Sequence, residues 1–214
     1  MKKVIIRTIV IIIIAVLAWA FIESTKPLPG KDALQDGRKH DQIGTVLTYK
    51  YNPPTSGNHY PAWITKGFYG EPRWDGFLVH SQEHGYIIFW YDCAAGKPDA
   101  KNLKLGQEPE SSSSGSLAQN LQMTAGGEGT ASAKLKDLPA EFNNSSCEPL
   151  KNQIKQVLNS DPHKLIAVPR VGLDHPLVLT AWGKMLPLDI VDQAQIKKFI
   201  TAYRDNGPEH TAEP

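Results

Sequence analysis

Across 214 residues, 23 lysines and arginines face 22 aspartates and glutamates, for a formal net charge of +1. A chain this neutral lacks the basic footprint of a nucleic-acid binder, and no nucleic-acid partner is expected. Hydrophobic residues, at 41%, suffice for a core, and the two cysteines, Cys93 and Cys147, have no CxxC spacing, which excludes thioredoxin-type chemistry, zinc ribbons and iron–sulfur ligation.

Residues 4–22 (VIIRTIVIIIIAVLAWAFI) are apolar apart from Arg7. At about 1.5 Å per residue, a helix of this length crosses the roughly 30 Å hydrocarbon layer, so residues 1–22 are expected to anchor the chain in a membrane. Lys2, Lys3 and Arg7 crowd the leading end, whereas Lys26 and Lys31 are the only positive residues between Glu23 and Asp36. The positive-inside bias then predicts a single-pass protein with a cytoplasmic N-terminus and an extracytoplasmic remainder. Ala18-Trp19-Ala20 also satisfies the small-x-small rule of a cleavage site, so a removed signal peptide is the competing expectation. In an exported domain an isolated cysteine pair favours a disulfide, and Cys93–Cys147 is expected to be one, two buried thiols being the alternative for a cytosolic domain.

Residues 23–43 mix charges with Pro and Gly, show no apolar period, and are expected to be a tether. Residues 44–204 are expected to form the exported domain. Thr45 to Tyr51 (TVLTYKY) alternates like a strand, and Asn52 to Gly57 (NPPTSG) is turn chemistry in which Gly57 permits a positive φ. Tyr86 to Tyr91 (YIIFWY) reads as a strand buried on both faces. The stretch 94–146 holds SSSSGS and AGGEGTASA, too polar to offset its ordering entropy, and is expected to be a disordered excursion closed at its base by the disulfide.

Leu150, Ile154, Val157 and Leu158 make a one-sided helix. Leu165–Val168, Leu177–Trp182 and Met185–Leu188 read as strands, the last two joined by a turn at Gly183-Lys184. Asp189 or Asp192 is placed to cap a final helix striped by Ile196, Phe199, Ile200 and Tyr203. A polar tail follows from residue 205 to 214. This order predicts a single small α+β domain with a mixed sheet and two helices behind the N-terminal membrane helix.

Chemistry is concentrated in the histidines. His59 sits in NPPTSGNHYP, and His80 and His84 in LVHSQEHG just before the YIIFWY strand. Four residues apart on a strand, His80 and His84 lie about 13 Å from each other; on one helical turn they share a face, and Gly85 is a natural stop for such a turn. A helical turn at 80–84 therefore makes His59, His80 and His84, with Glu83, candidate ligands for a divalent transition metal such as Zn, Cu or Fe.

His80-Ser-Gln-Glu83-His84 also fits the H-x-x-E-H pattern of zinc peptidases, but that pattern belongs to a long helix with a third acidic ligand not visible here. No catalytic residue is assigned, and holding a metal is preferred to turnover. The bland alternative is that the three histidines make structural hydrogen bonds. His163 and His175 are expected in loops, and Trp182 either packs in the core or roofs the histidines. A non-metal module is the rival reading, with Trp63, Phe68, Tyr69 and Trp74 contacting an envelope partner.

NPPTSGNHYP, LVHSQEHGYIIFWY and LTAWG together resemble the signature blocks of an uncharacterised family of membrane-anchored bacterial domains, a domain of unknown function. The resemblance covers about residues 45–93 and 147–203 and leaves out the excursion. It implies an anchored exported domain whose histidine blocks fall on His59, His80 and His84, and it brings no activity. Asn58 stands where the family pattern more usually has proline.

Overall fold

The structure, a computed structural model, describes residues 2–25, 27–96 and 138–211. In chain order these form α1 (Lys2–Ser24), β1 (Lys31–Asp32), β2 (Gly67–Phe68), α2 (Asp75–Glu83), β3 (Ile87–Tyr91), a 3-10 turn (Ala140–Asn143), α3 (Glu148–Ser160), β4 (Leu165–Pro169), β5 (Leu177–Ala181), β6 (Lys184–Leu188) and α4 (Gln193–Tyr203). The fold is α+β around one mixed six-stranded sheet ordered β1-β6-β5-β3-β4-β2. β3 pairs parallel with β4 and antiparallel with β5, so it is the pivot between the two halves of the sheet.

Both faces of the sheet are covered, which explains the unbroken apolar run of β3. Ile87, Phe89 and Tyr91 face a core closed by Ile154, Val157 and Leu158 of α3 and Ile196, Phe199 and Ile200 of α4. Ile88 and Trp90 face the opposite layer, with Tyr60, Ile64, Trp74, Phe77 and Leu78. The helix stripes read from the sequence are the buried faces of α3 and α4, and Asp192 caps α4 by accepting from the Ala194 and Gln195 amides at 2.9 and 3.0 Å.

Several expectations are corrected. Among the described residues there are four α-helices, α1 and three in the domain where two were expected, because residues 75–83 fold as a nine-residue helix where a single turn was expected. Residues 45–51 are not a strand. Their alternation is met by hydroxyl hydrogen bonds, Tyr49 donating to the Asn58 carbonyl and Tyr60 to that of Thr45, both at 2.8 Å, in place of a ladder.

The expected tether is partly built into the domain: Lys31 and Asp32 pair with Met185 and Lys184, and Ala33 is buried. Most of the expected excursion lies outside the described residues. At its described end, Phe142 is buried against Tyr91, and the Cys93–Cys147 disulfide is present with its Cα atoms 5.4 Å apart.

Among the described residues no helix is long and apolar enough to cross a membrane, so the expected transmembrane span is not shown. What α1 displays is a series of apolar side chains, from Val4 to Ile22, that the domain leaves exposed.

Candidate metal centre

α2 is buried along its whole length. Phe77 and Leu78 join the second core layer, Phe77 packing on Tyr60, and His80, Glu83 and the following His84, spaced i, i+3 and i+4, lie together toward the NPPTSGNHYP loop. Gly76 permits this approach, since a Cβ there would lie 2.6 Å from the Tyr60 ring. Gly85, at φ +84°, ends the helix as expected.

The loop is itself buried from Pro53 to Gly57, so its carbonyls need partners. Gln82 Nε2 donates to the Pro54 carbonyl at 3.2 Å and the Gly183 amide to that of Thr55 at 2.9 Å. These bonds fix His59, which is fully buried, over α2.

A fourth histidine arrives from the expected tether. The His59 amide donates to the Lys39 carbonyl at 3.0 Å and the Asp41 amide to the His59 carbonyl at 2.7 Å, a bridge that sets His40 beside His59. Asn58 reinforces it by accepting from the Lys39 amide at 3.1 Å.

Ligand atoms of His40, His59, His80 and Glu83 all lie within 4.8 Å of one another, and those of His80, His84 and Glu209 form a second set on the same criterion. The expected constellation is therefore divided. His59, His80 and Glu83 come together with His40, while His84 touches His80, Nε2 to Nε2 at 3.0 Å, and turns toward Glu209. Neither His40 nor Glu209 was found from sequence, because both sit in polar segments with no period. The one signal available was that three histidines and a glutamate leave room for further donors.

Tautomers follow from the neighbours. His80 Nδ1 is 2.6 Å from the Tyr60 carbonyl and His59 Nδ1 is 2.9 Å from the Gly57 carbonyl. A carbonyl only accepts, so each Nδ1 carries a hydrogen and each ring turns its Nε2 to the cluster. His59 Nε2 lies 2.8 Å from Glu83 Oε2, both atoms buried, a contact that closes only with a positive charge, a proton or a metal ion, held between them. Glu83 Oε1 is held by Arg38 Nε.

Burial, with His59, His84 and His40 adding to it, lowers the pKa of His80 to about 3 against the opposing pull of the Tyr60 carbonyl. Burial would raise the Glu83 carboxyl, but His59 and Arg38 overcome it and bring the value down to about 2. Both groups thus stand in the protonation state a metal requires.

Indole rings wall the cluster. Trp63 lies 5.6 Å from the His80 ring and 4.7 Å from that of His84, and Trp182 stands edge-on to His59 at 6.0 Å, so it roofs the histidines. The other loop aromatics face inward: Trp74 is buried against Phe77 and Phe68 stacks on Tyr91. His163 and His175 lie apart from the cluster, each beside an aspartate, Asp205 and Asp189.

A family profile described as "Protein of unknown function (DUF3105)" matches residues 40–119 and 141–214. The chain belongs to this family. The match reaches further than the expected 45–93 and 147–203, and the family's extent takes in all six donors, from His40 to Glu209. No curated protein and no solved structure matches the chain.

Proposed function

We propose that this DUF3105 domain binds one divalent first-row transition metal ion, zinc, copper or iron, through His40, His59, His80 and Glu83, and does so outside the cytoplasm, held to a membrane by α1. The observation that carries the metal reading is the His59–Glu83 contact. A buried imidazole nitrogen and a buried carboxylate oxygen at 2.8 Å need a cation between them, and a metal ion shared with His40 and His80 supplies it where a proton would serve this pair alone. Three imidazoles and one carboxylate make the four-donor shell of a site built to hold an ion.

Hydrolysis is disfavoured by the same geometry. A zinc peptidase needs its glutamate free to take a proton from water, whereas Glu83 is bound on one oxygen by Arg38 and commits the other to the cluster. The roles that fit are sensing, delivery or structural support. Support for the membrane comes from α1, whose exposed apolar side chains need lipid or a partner, and for export from the disulfide.

The test is elemental analysis of the chain purified without a histidine tag, with titration of the metal-free protein. One ion per chain is expected, lost in His59→Ala and His80→Ala and retained in His84→Ala. A wild-type protein that carries no metal and takes up none refutes the reading.

A further inference from the structure

We infer that His80, His84 and Glu209 form a second metal position through which the ion enters and leaves the first. The inference rests on the metal reading of the inner set. His80 commits Nδ1 to the Tyr60 carbonyl and so has one lone pair, on Nε2, that serves both sets. It ligates one ion at a time. Among the described residues the six donors fall into two sets and not one, so no single position reaches them all.

Charge also argues against filling both positions together. Two carboxylates offset by Arg38 leave one net negative charge to face four positive ones. The two sets are therefore alternative stations of one ion, with His80 held in common.

Glu209 is delivered to this place by a deliberately fastened segment. Its amide donates to the Glu83 carbonyl and that of Asp205 to the Gly85 carbonyl, both at 3.0 Å. The buried Lys164 ammonium donates to the His84 and Thr211 carbonyls at 2.9 Å each. Gly207 crosses so near the end of α2 that a Cβ would lie 2.1 Å from the Glu83 carbonyl oxygen.

The outcome is a carboxylate 3.0 Å from His84 Nε2 and 37% exposed, while His59, His80 and Glu83 are buried. The other exposed donor, His40, faces the buried Glu83 and, among the described residues, has no carboxylate at the surface beside it. The Arg38 guanidinium pairs with Glu83 and reaches Glu209 at 3.9 Å, so that Glu209 has a partner to exchange as a dication arrives. Glu209 attracts it. An ion taken up by Glu209 and His84 meets His80 and passes inward by exchanging one ligand at a time.

A residue on such a route changes the barrier and not the end states, so uptake and release must slow by the same factor. The experiment uses the full chain and Co2+ as a visible probe, with stopped-flow uptake and release to excess chelator. One Co2+ per chain is expected. Glu209→Gln should still load one Co2+ per chain while slowing both uptake and release by about tenfold, and Glu209→Asp should restore the rates in part.

Unchanged rates would overturn the route. A weaker Kd would make Glu209 a ligand of the resident ion, faster release would make its segment a cover, and two Co2+ per chain would make the sets independent; each of these also overturns it. A wild-type chain that binds no Co2+ removes the metal reading itself and is told apart from those results.

Discussion

His80 is asked to stay neutral where an ordinary histidine would charge. The burial and neighbouring imidazoles that lower it to about 3 act only in the folded state; unfolded, it takes a proton near 6.5. Its contribution to stability is therefore complete above 6.5 and lost as pH falls toward 3. Glu83, lowered from 4.5 to about 2, works in the same direction over a more acidic range: its contribution is present above 4.5 and lost toward 2. Acid should accordingly destabilise the metal-free protein in two stages. Thermal unfolding between pH 7 and pH 4 is expected to show Tm falling already from pH 6.5, with the upper part of that slope flattened in His80→Gln. A slope above pH 4.5 that survives the substitution would mean His80 is not the residue that resists the proton.

At the scale of elements, α2 is pinned to the sheet at its first residue. Asp75 accepts from Arg170 Nη1 at 2.6 Å, and the same guanidinium bonds Asn52 at 2.5 Å and lies over the Trp90 ring. Both partners are buried, and burial keeps the Asp75 carboxyl raised despite the cation beside it. Removing one partner of such a pair strands the other in a poorly solvated place, so Arg170→Met should cost about 3–5 kcal/mol in denaturant unfolding. Adding Asp75→Leu should recover part of that loss; a single substitution costing under about 1 kcal/mol would show that the pair does not hold α2. How far such elements were legible depended on period. The stripes of α3 and α4 and the run of β3 carry their burial pattern within one segment and were readable. Residues 45–51 alternate as a strand does, but Tyr49 and Tyr60 hold that segment by side-chain hydroxyls. Two-residue strands such as Lys31–Asp32 are too short to show any alternation. His40 and Glu209 owe their places to backbone bonds with residues far along the chain, which local composition does not record.

The molecule as a whole joins two parts with opposite surface demands. The domain buries its apolar residues on two faces of one sheet, whereas α1 leaves Val4, Ile11, Leu17 and Phe21 each at least 63% exposed. Apolar surface of that extent is stable in lipid and costly in water, and the cysteine pair is of the kind that persists in an oxidising compartment. On the proposed reading, the positive-inside bias of Lys2, Lys3 and Arg7 puts the candidate metal site on the far side of the membrane. A reporter active only outside the cytoplasm, fused after Pro214, should therefore be active in cells that make the full chain. Deleting residues 2–24 should remove both membrane association in fractionation and reporter activity, because the proposal gives that segment the parts of address and anchor together. Cys93 and Cys147 in that cytoplasmic product should be titratable as thiols, whereas the full chain should show none before reduction. Activity of a cytosol-only reporter at the same position, or free thiols in the full chain, would reverse the assigned orientation.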